Sequence, residues 1–340
     1  MKLLFVNIFL LLGLVLAMQS CKKAAVSDVF VSDTTNVLND TVWIKNDSAI
    51  SPIVASSLNE PVVVDSFNCT EDGTISFGDS ISASFPKAGC MVSNTPGSTI
   101  KTPLKVRAEI VVLRTKGDLI RFGIPTVSNN ALLEAGVYVN IRLRNNKKDV
   151  YWNSAVAPIL IKIKASSPSQ EMKYFSSPFA TSSAFYYWVS NPMGGIGRNS
   201  VSPFKDSVLG SNAKKTGYII NTTQIGWFGC STTLDNSPAT QQTRLNVSLP
   251  LNFTNKNTVV YASFDNKKTV IRLASNPYGR SYYSPTTVPK NTKLTILTIS
   301  KIGSEYYLGT NVTQVTSNVP ISVVPEKKTL DFVINYLNKL

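Results

Sequence analysis

The stretch VYVNIRLRNNKKDVYW, residues 137–152, decides the fold class. Its first half places Val137, Val139, Ile141 and Leu143 at alternate positions, with polar or amphipathic residues between them. This is the period of a β-strand that turns one apolar face toward a core. The polar run Asn145–Lys148 then predicts a turn into a second strand over residues 149–152, so that the stretch forms a β-hairpin.

The same period recurs on both sides of this hairpin. Before the hairpin, Lys105–Arg114 has a strand pattern, and after it the isoleucines around Ile161 have the same pattern. Further on, Asp265–Lys268 predicts a second polar hairpin turn. Hydrophobic residues make up 43% of the chain and charged residues 16%. With threonine, serine, asparagine and valine plentiful, this composition favours strands over helices, and many short strands indicate sandwiches or barrels. We predict an all-β fold.

The length of 340 residues suits two domains. Serine and proline favour turns and loops, and the Ser166–Ser169 stretch consists of serines and Pro168. This composition predicts a domain boundary near residue 168. We therefore predict two β-sandwich-like domains, over residues 58–167 and 168–340. Only the last segment has helical spacing, at Leu330, Val333, Ile334 and Leu337 behind Thr329 as N-cap, which predicts a short C-terminal helix.

The N-terminus has the pattern of an export signal. Lys2 precedes a nearly uninterrupted apolar run from Leu3 to Met18, which is short for a membrane-spanning helix. Met18-Gln19-Ser20-Cys21 follows and resembles a lipobox, the site at which a lipoprotein signal peptidase cuts. We predict a signal peptide over residues 1–20, a lipidated Cys21, and a flexible tether over residues 21–57. An ordinary secretory signal with an incidental cysteine is the alternative.

The remaining cysteines fit an oxidising compartment. Cys69 and Cys90 are the nearer pair in sequence and the candidate disulfide, although sequence alone leaves the connectivity open. Cys230 lies in an apolar stretch, which indicates a buried core thiol and not a nucleophile.

Charge is uneven along the chain. Residues 71–340 contain 30 Lys or Arg against 14 Asp or Glu. A positive field of this kind attracts anionic partners without sequence specificity, while a solvated basic surface that keeps the protein soluble is the simpler interpretation. No arginine-rich run or nucleic-acid motif is present, so no nucleic-acid partner is expected.

The chain contains no histidine. This excludes Ser-His-Asp and Cys-His catalysis and histidine-ligated metals, and we predict no catalytic residue, metal site or cofactor. Hydrolysis of glycosides needs only two carboxylates. The acids considered for that chemistry are Glu109, Asp118, Glu134 and Glu171, for which solvated structural roles are favoured.

Aromatic residues cluster in the second half of the chain. Adjacent residues of a strand face opposite ways, so one member of each pair could point outward and stack on a sugar or form an interface. The candidate binding residues are Tyr186, Trp188, Trp227, Tyr282 and Tyr283. The alternative is that these rings fill the core and the cross-strand surface.

Several short elements together resemble a group of uncharacterised Bacteroidota lipoproteins whose N-terminal half is similar to a ZU5-type β-sandwich. The residues that carry the resemblance are Phe85-Pro86, Lys105–Arg114, Lys116–Ile120, Gly123–Thr126, Leu132–Gly136 and Gly226–Cys230. In that group, Asn and Asp flank the cysteine of the last element, whereas Gly229 and Ser231 flank Cys230 here. The resemblance implies a surface or periplasmic location and a β-sandwich over residues 58–167, and it implies no activity.

Three functional hypotheses follow. The first is a non-enzymatic lipoprotein of the bacterial outer membrane or cell surface that adheres to, or binds, a glycan or protein partner. The second is a polysaccharide hydrolase with paired carboxylates, and the third is a structural component of an outer-membrane assembly. An aromatic-lined groove, a carboxylate-lined cleft or a broad apolar patch would favour the first, second or third hypothesis, respectively.

Overall fold

The computed structural model describes residues 40–44, 63–77, 80–93, 95, 98–128, 131–177, 188–190, 198–207, 214–234 and 241–340. The predicted signal peptide and Cys21 lie outside these ranges. Residues Thr41–Leu340 form one compact unit. Within this unit the described part of the chain is almost entirely β-structure, which confirms the predicted all-β class.

Fourteen strands build the first sandwich. They are β1 (Val63–Asn68), β2 (Gly73–Phe77), β3 (Ile81–Phe85), β4 (Cys90–Met91), β5 (Lys105–Leu113), β6 (Val127–Ser128), β7 (Ala131–Asn145), β8 (Lys148–Trp152), β9 (Ile159–Lys164), β10 (Lys173–Ser177), β11 (Val189–Ser190), β12 (Ser200–Ser207), β13 (Lys214–Thr222) and β14 (Gly226–Thr233).

The next eleven strands form the second sandwich and a separate two-stranded ribbon. They are β15 (Gln242–Thr243), β16 (Asn246–Ser248), β17 (Thr258–Phe264), β18 (Val270–Arg272), β19 (Ala274–Asn276), β20 (Ser281–Tyr283), β21 (Val288–Pro289), β22 (Lys293–Ile302), β23 (Glu305–Gln314), β24 (Ile321–Ser322) and β25 (Glu326–Lys328). The two helices of the described chain are α1 (Lys116–Arg121) and α2 (Leu330–Leu337).

The first sandwich packs a nine-stranded sheet A on a five-stranded sheet B. Sheet A has the strand order β1-β5-β7-β14-β10-β11 with β4, β6 and β8 at its side, and sheet B has the order β12-β13-β9-β3-β2. The predicted alternation fills the space between them, with Val139 and Ile141 from sheet A meeting Ile161 and Ile163 from sheet B. The predicted β7–β8 hairpin is present, and Asn146 in its turn has the left-handed φ of 54°.

The second sandwich has the five-stranded sheet C, in the order β18-β17-β22-β23-β25, and the four-stranded sheet D, in the order β19-β20-β16-β24. Strands β15 and β21 form a separate two-stranded ribbon. Every residue of β17 is buried, so both faces of sheet C are covered at this strand. Val260 and Ala262 face the core shared with sheet D, whereas Val259 and Tyr261 face the first sandwich.

A middle layer joins the two sandwiches. Leu133 and Tyr138 of sheet A, Tyr261 and Leu297 of sheet C, and Leu119 of α1 all lie in one buried apolar cluster. Helix α2 closes the same cluster with Val333 and Leu337. Sheet A is therefore apolar on both faces, one toward sheet B and one toward sheet C.

The boundary predicted near residue 168 falls inside the first sandwich. Strand β13 pairs with β9, and β10 and β14 pair within sheet A, where β14 lies beside β7. Residues 173–233 thus complete the sandwich that residues 63–164 begin, and the second sandwich starts with β15. The Ser166–Ser169 stretch is the connection from sheet B to sheet A, so its turn chemistry marks a change of sheet and not the end of a domain.

Helix α2 forms as predicted. The Thr329 side chain caps its first turn by accepting a hydrogen bond from the Phe332 amide at 3.1 Å. Helix α1 was not expected from the sequence, because its six residues are too few to show a helical period. Its capping box is strong nonetheless, since the Asp118 carboxylate accepts from the amides of Arg114 and Thr115 at 2.8 and 2.9 Å.

Part of the predicted tether is ordered against the second sandwich. Residues Thr41–Ile44 belong to the compact unit, and the Ile44 amide donates to Asn255 Oδ1 at 2.9 Å. The prediction of a flexible tether over the whole of residues 21–57 is therefore wrong at this point, because Trp43 and Ile44 find partners more than 200 residues away.

We expect Gly117→Ala to lower the free energy of unfolding by about 1–3 kcal/mol. A Cβ at Gly117 would lie 1.8 Å from the backbone oxygen of Leu337, so α2 would have to move out of the middle layer. This cost exceeds the gain of about 1 kcal/mol from alanine's higher helix propensity. Urea denaturation measures the difference.

Gly279→Ala is the matched control. Gly279 is exposed, and its added Cβ would meet side-chain atoms of Asn276 and Ser281 in a surface turn as its nearest neighbours, with no backbone atom among them. Equal stability of the two variants would contradict the close packing of α2 on α1.

Candidate functional site

A β-bulge at Gly136 lies beside a cleft in the described part of the chain. Cys230 lies opposite Val137 and Ser231 lies opposite Ala135, so Gly136 has no partner on β14. A Cβ at Gly136 would lie 2.6 Å from Cys230 Sγ, which leaves room for glycine alone. The bulge frees the Gly136 carbonyl oxygen, which accepts a hydrogen bond from Lys268 Nζ at 3.1 Å.

The turn between β17 and β18 docks on this bulge from the second sandwich. The Ala135 amide donates to the Lys268 carbonyl oxygen at 2.9 Å, and Thr269 Oγ1 donates to the Leu133 carbonyl oxygen at 2.8 Å. Lys267 Nζ pairs with Glu134 Oε2 at 3.0 Å. These contacts fix the turn against β7 and hold two successive lysines at the joint between the sandwiches.

The cleft at this joint has a volume of about 330 Å³. The polar side chains that line it carry hydroxyl, carboxylate or ammonium groups. The apolar side chains are those of two alanines and Met172. The lining residues are Glu134, Ala135, Gly136, Ala165, Ser166, Ser167, Ser169, Glu171, Met172, Tyr218, Thr232 and Lys268. Ligand sites commonly lie between domains and combine a concave shape with a few convergent polar groups.

Lys268 is the half-buried cation of the cleft. Burial lowers the pKa of its ammonium group, and the nearby carboxylates of Asp118 and Glu134 oppose that effect. The hydrogen bond to Gly136 uses one of the three ammonium protons. Lys268 can therefore offer a donor toward the cleft from a fixed position.

The serine-rich connection between β9 and β10 forms the facing wall. The Ser169 amide donates to the Tyr218 hydroxyl at 2.9 Å, and Thr216 Oγ1 donates to the Ala165 carbonyl oxygen at 2.7 Å. Burial raises the pKa of Tyr218, so its hydroxyl stays protonated. The wall is thus positioned by sheet B, while Lys268 is positioned by the second sandwich.

The structure divides the four acidic residues that the sequence analysis considered into two groups. Glu109 pairs with Arg107 at 3.3 Å and lies 3.8 Å from Arg144, and Asp118 caps α1. These two acids have structural partners, as the sequence favoured. Glu134 and Glu171, in contrast, both line the cleft, although 36 positions separate them in the chain.

The four candidate aromatic residues that the structure describes do not form one binding row. Trp188 is fully buried, stacks on Tyr138 at a centroid distance of 4.0 Å, and donates from Nε1 to the Pro125 carbonyl oxygen at 2.8 Å. Tyr282 is buried in the core of the second sandwich. Trp188 cannot be offered to a ligand from solvent, because it lies inside the middle layer between the sandwiches.

The other three aromatic candidates differ in position. Trp227 is half-buried and packs edge-on against Phe122 at 6.2 Å in the middle layer. Tyr283 is half-buried and follows Tyr282 on β20, so it points to the opposite face of sheet D. Tyr186 lies outside the described residues.

The cysteines divide as the sequence suggested. Cys69 and Cys90 form a disulfide with their Cα atoms 5.8 Å apart. Cys230 is a free thiol with no exposed surface, and burial raises its pKa to about 12. A thiol with that pKa is protonated at neutral pH and is no nucleophile.

In the described ranges no cluster of three or more His, Cys, Asp or Glu residues is placed to hold a metal ion. Within the same ranges no helix has the length and apolar character needed to cross a membrane. Comparison with models of known protein families and with curated protein sequences gives no match to this chain.

Sequence reasoning missed Lys268 and Gly136, which shape the cleft. The local pattern predicts that Lys268 belongs to a polar hairpin turn, and it does. Nothing in that pattern indicates that its ammonium group binds Gly136 on a strand 132 positions earlier. Gly136 gave a weak signal, since an isolated glycine within a strand pattern indicates a bulge or a close approach.

We expect Cys230 to resist a maleimide in the folded protein at pH 8 and to react within minutes in denaturant, because burial keeps it neutral and covered. The Cys21→Ser variant makes it the sole free thiol for a mass-spectrometric count. Stoichiometric labelling of the folded variant would contradict this placement of the thiol.

Proposed function

We propose that this protein is a non-enzymatic lipoprotein of the bacterial outer membrane or cell surface that binds a glycan in the cleft between its sandwiches. The observation that carries the proposal is the lining of that cleft. Serine and threonine hydroxyls, two carboxylates and one ammonium group supply both acceptors and donors. Sugar hydroxyls require such a mixture, because each one donates and accepts.

The sequence of the N-terminus supports the proposed location. A lipobox-like Met18–Cys21 follows a short apolar run, and acyl chains on Cys21 would contribute about 0.8 kcal/mol per buried methylene. The resemblance of the first half to ZU5-like lipoproteins supports the same location. The positive charge of residues 71–340 favours anionic polymers of the envelope as neighbours.

We expect Cys21→Ala to abolish membrane attachment of the chain. Intact mass of the protein purified from detergent-solubilised membranes should show a wild-type chain that begins at Cys21 and carries acyl groups. The variant should be unprocessed or released. A wild-type chain that begins elsewhere and lacks lipid would overturn the proposed anchor without affecting the cleft.

We expect Glu171→Gln and Lys268→Met each to weaken glycan binding about tenfold or more, since each removes a charged hydrogen-bonding group from the cleft. A glycan array that includes envelope polysaccharide fractions identifies the ligand, and calorimetry measures its affinity.

Glu326→Gln and Lys147→Met are matched controls, because both residues are exposed and neither lines the cleft. Equal weakening of binding by a control and by its matched cleft variant would show that the loss does not depend on the cleft and would contradict recognition there.

Hydrolysis of a polysaccharide is the second candidate function. It is favoured by one observation, namely that Glu134 and Glu171 line the same cleft. The two functions differ in their products. A hydrolase releases new reducing ends, and Glu134→Gln or Glu171→Gln would abolish that release while the polysaccharide stays bound. The binding protein proposed here releases none in the wild-type form.

A further inference from the structure

One side chain of the second sandwich binds both backbone polar groups of a single distant residue. Asn255 Oδ1 accepts from the Ile44 amide at 2.9 Å, and Asn255 Nδ2 donates to the Ile44 carbonyl oxygen at 2.7 Å. In a β-sheet, a neighbouring strand forms hydrogen bonds with the N–H and C=O groups of a residue in the same way. The carboxamide therefore takes the place of a strand at this point. The contact depends on the backbone of Ile44 and not on its side chain.

The Asn255 side chain has contacts within the second sandwich besides those with Ile44. Asn255 is fully buried, and its Nδ2 also donates to Ser275 Oγ at 2.9 Å. The loop that carries it is fixed by its own side chains, since the Thr254 amide donates to Asn257 Oδ1 at 3.0 Å and Asn257 Nδ2 donates to the Asn252 carbonyl oxygen at 2.9 Å. A preorganised site loses little entropy when it binds.

An aromatic niche lies beside this carboxamide. The ring of Trp43 packs against the ring of Tyr282, with centroids 5.2 Å apart and planes tilted by 52°, and against the second core. The Tyr282 hydroxyl donates to the Thr258 carbonyl oxygen at 3.2 Å, which fixes the ring. Tyr282 and Ser275 are direct neighbours on β20 and β19, so the niche and the carboxamide share one face.

Two neighbouring side chains of the bound segment differ in exposure. Val42 is 59% exposed, whereas Trp43 is half-buried. Recognition therefore rests on two features, an aromatic ring and the backbone of the residue that follows it. Both features belong to a short peptide and need no further part of the fold.

We propose that Asn255, Ser275 and Tyr282 form a peptide-binding site, which the chain's own residues Thr41–Ile44 occupy. Its ligand class is an extended peptide with tryptophan followed by a residue that has a free amide N–H. The covalent connection gives the chain's own segment a high effective concentration, so a separate peptide competes poorly in the wild-type protein.

Occupation of the site has a consequence that rests on the proposed lipid anchor. Only about 20 residues then connect Cys21 with the second sandwich, and a chain of that length extends no further than roughly 70 Å. The bound segment would limit how far the sandwiches reach from the membrane.

The test uses the full chain with Trp43→Ala and Ile44→Pro, which removes the aromatic ring and the amide donor and so vacates the site. A dye-labelled peptide of residues 38–47 is titrated with this variant, and binding is followed by fluorescence anisotropy. We expect saturable binding to the variant and at least tenfold weaker binding to the wild-type chain. A peptide with N-methyl-Ile44 should bind at least tenfold more weakly, because it lacks the donor to Asn255 Oδ1 and places a methyl group against that oxygen.

Three outcomes would overturn the proposal. They are absence of binding to a variant whose cooperative unfolding matches that of the wild type, equal binding of the N-methylated peptide, and equal binding after Asn255→Asp is added to the variant. If the variant fails to fold, hydrogen exchange of the Ile44 amide decides instead. This amide should be protected in the wild type and exchange at least tenfold faster in Asn255→Ala, which removes the Oδ1 acceptor, and equal rates would refute the site. None of these results depends on acylation of Cys21.

Discussion

The burial of sheets A and C on both faces is the constraint on which the rest of the structure depends. A sheet with two apolar faces cannot end a domain, because each face must be removed from water. Sheet A meets this requirement with sheet B on one side and sheet C on the other, and the two helices seal the layer between A and C. The stacked rings of Tyr138 and Trp188 fill the centre of that layer, and each also has a polar partner. The sandwiches are therefore a single packed body.

The cleft follows from this joint. Two sheets can be pressed together only if the loops at their edges also fit, and here the β17–β18 turn meets the bulge of β7. Gly136 removes the side chain that would block the approach, and Lys268 binds its carbonyl oxygen, which the bulge leaves without a strand partner. Thr269 binds the carbonyl oxygen of Leu133 nearby on β7. The polar groups at the edge of the apolar layer then surround a concave space. Glu134 and Glu171 both belong to the lining of this space.

The two proposed binding regions differ in how they are built. The cleft is assembled from both sandwiches, so its geometry depends on their joint and its lining is polar. The Asn255 site lies wholly within the second sandwich and recognises backbone and an aromatic ring. The first kind of site suits a ligand rich in hydroxyl groups, and the second suits a peptide. A protein with both could hold its own N-terminal segment on one sandwich while the joint remains open to another molecule.

The sequence by itself determined the features that depend on near neighbours. The period-2 pattern around Ile141 predicted its strand, the polar run after it predicted the hairpin, and Thr329 predicted the start of α2, because each signal lies within a few residues of the structure that it specifies. Glu134 and Glu171 were chosen as acids, yet only the tertiary structure placed them in one cleft. It alone also decided the position of the domain boundary and the burial of Trp188. These outcomes depend on contacts between residues tens to hundreds of positions apart, and local periodicity contains no information about which faces will meet.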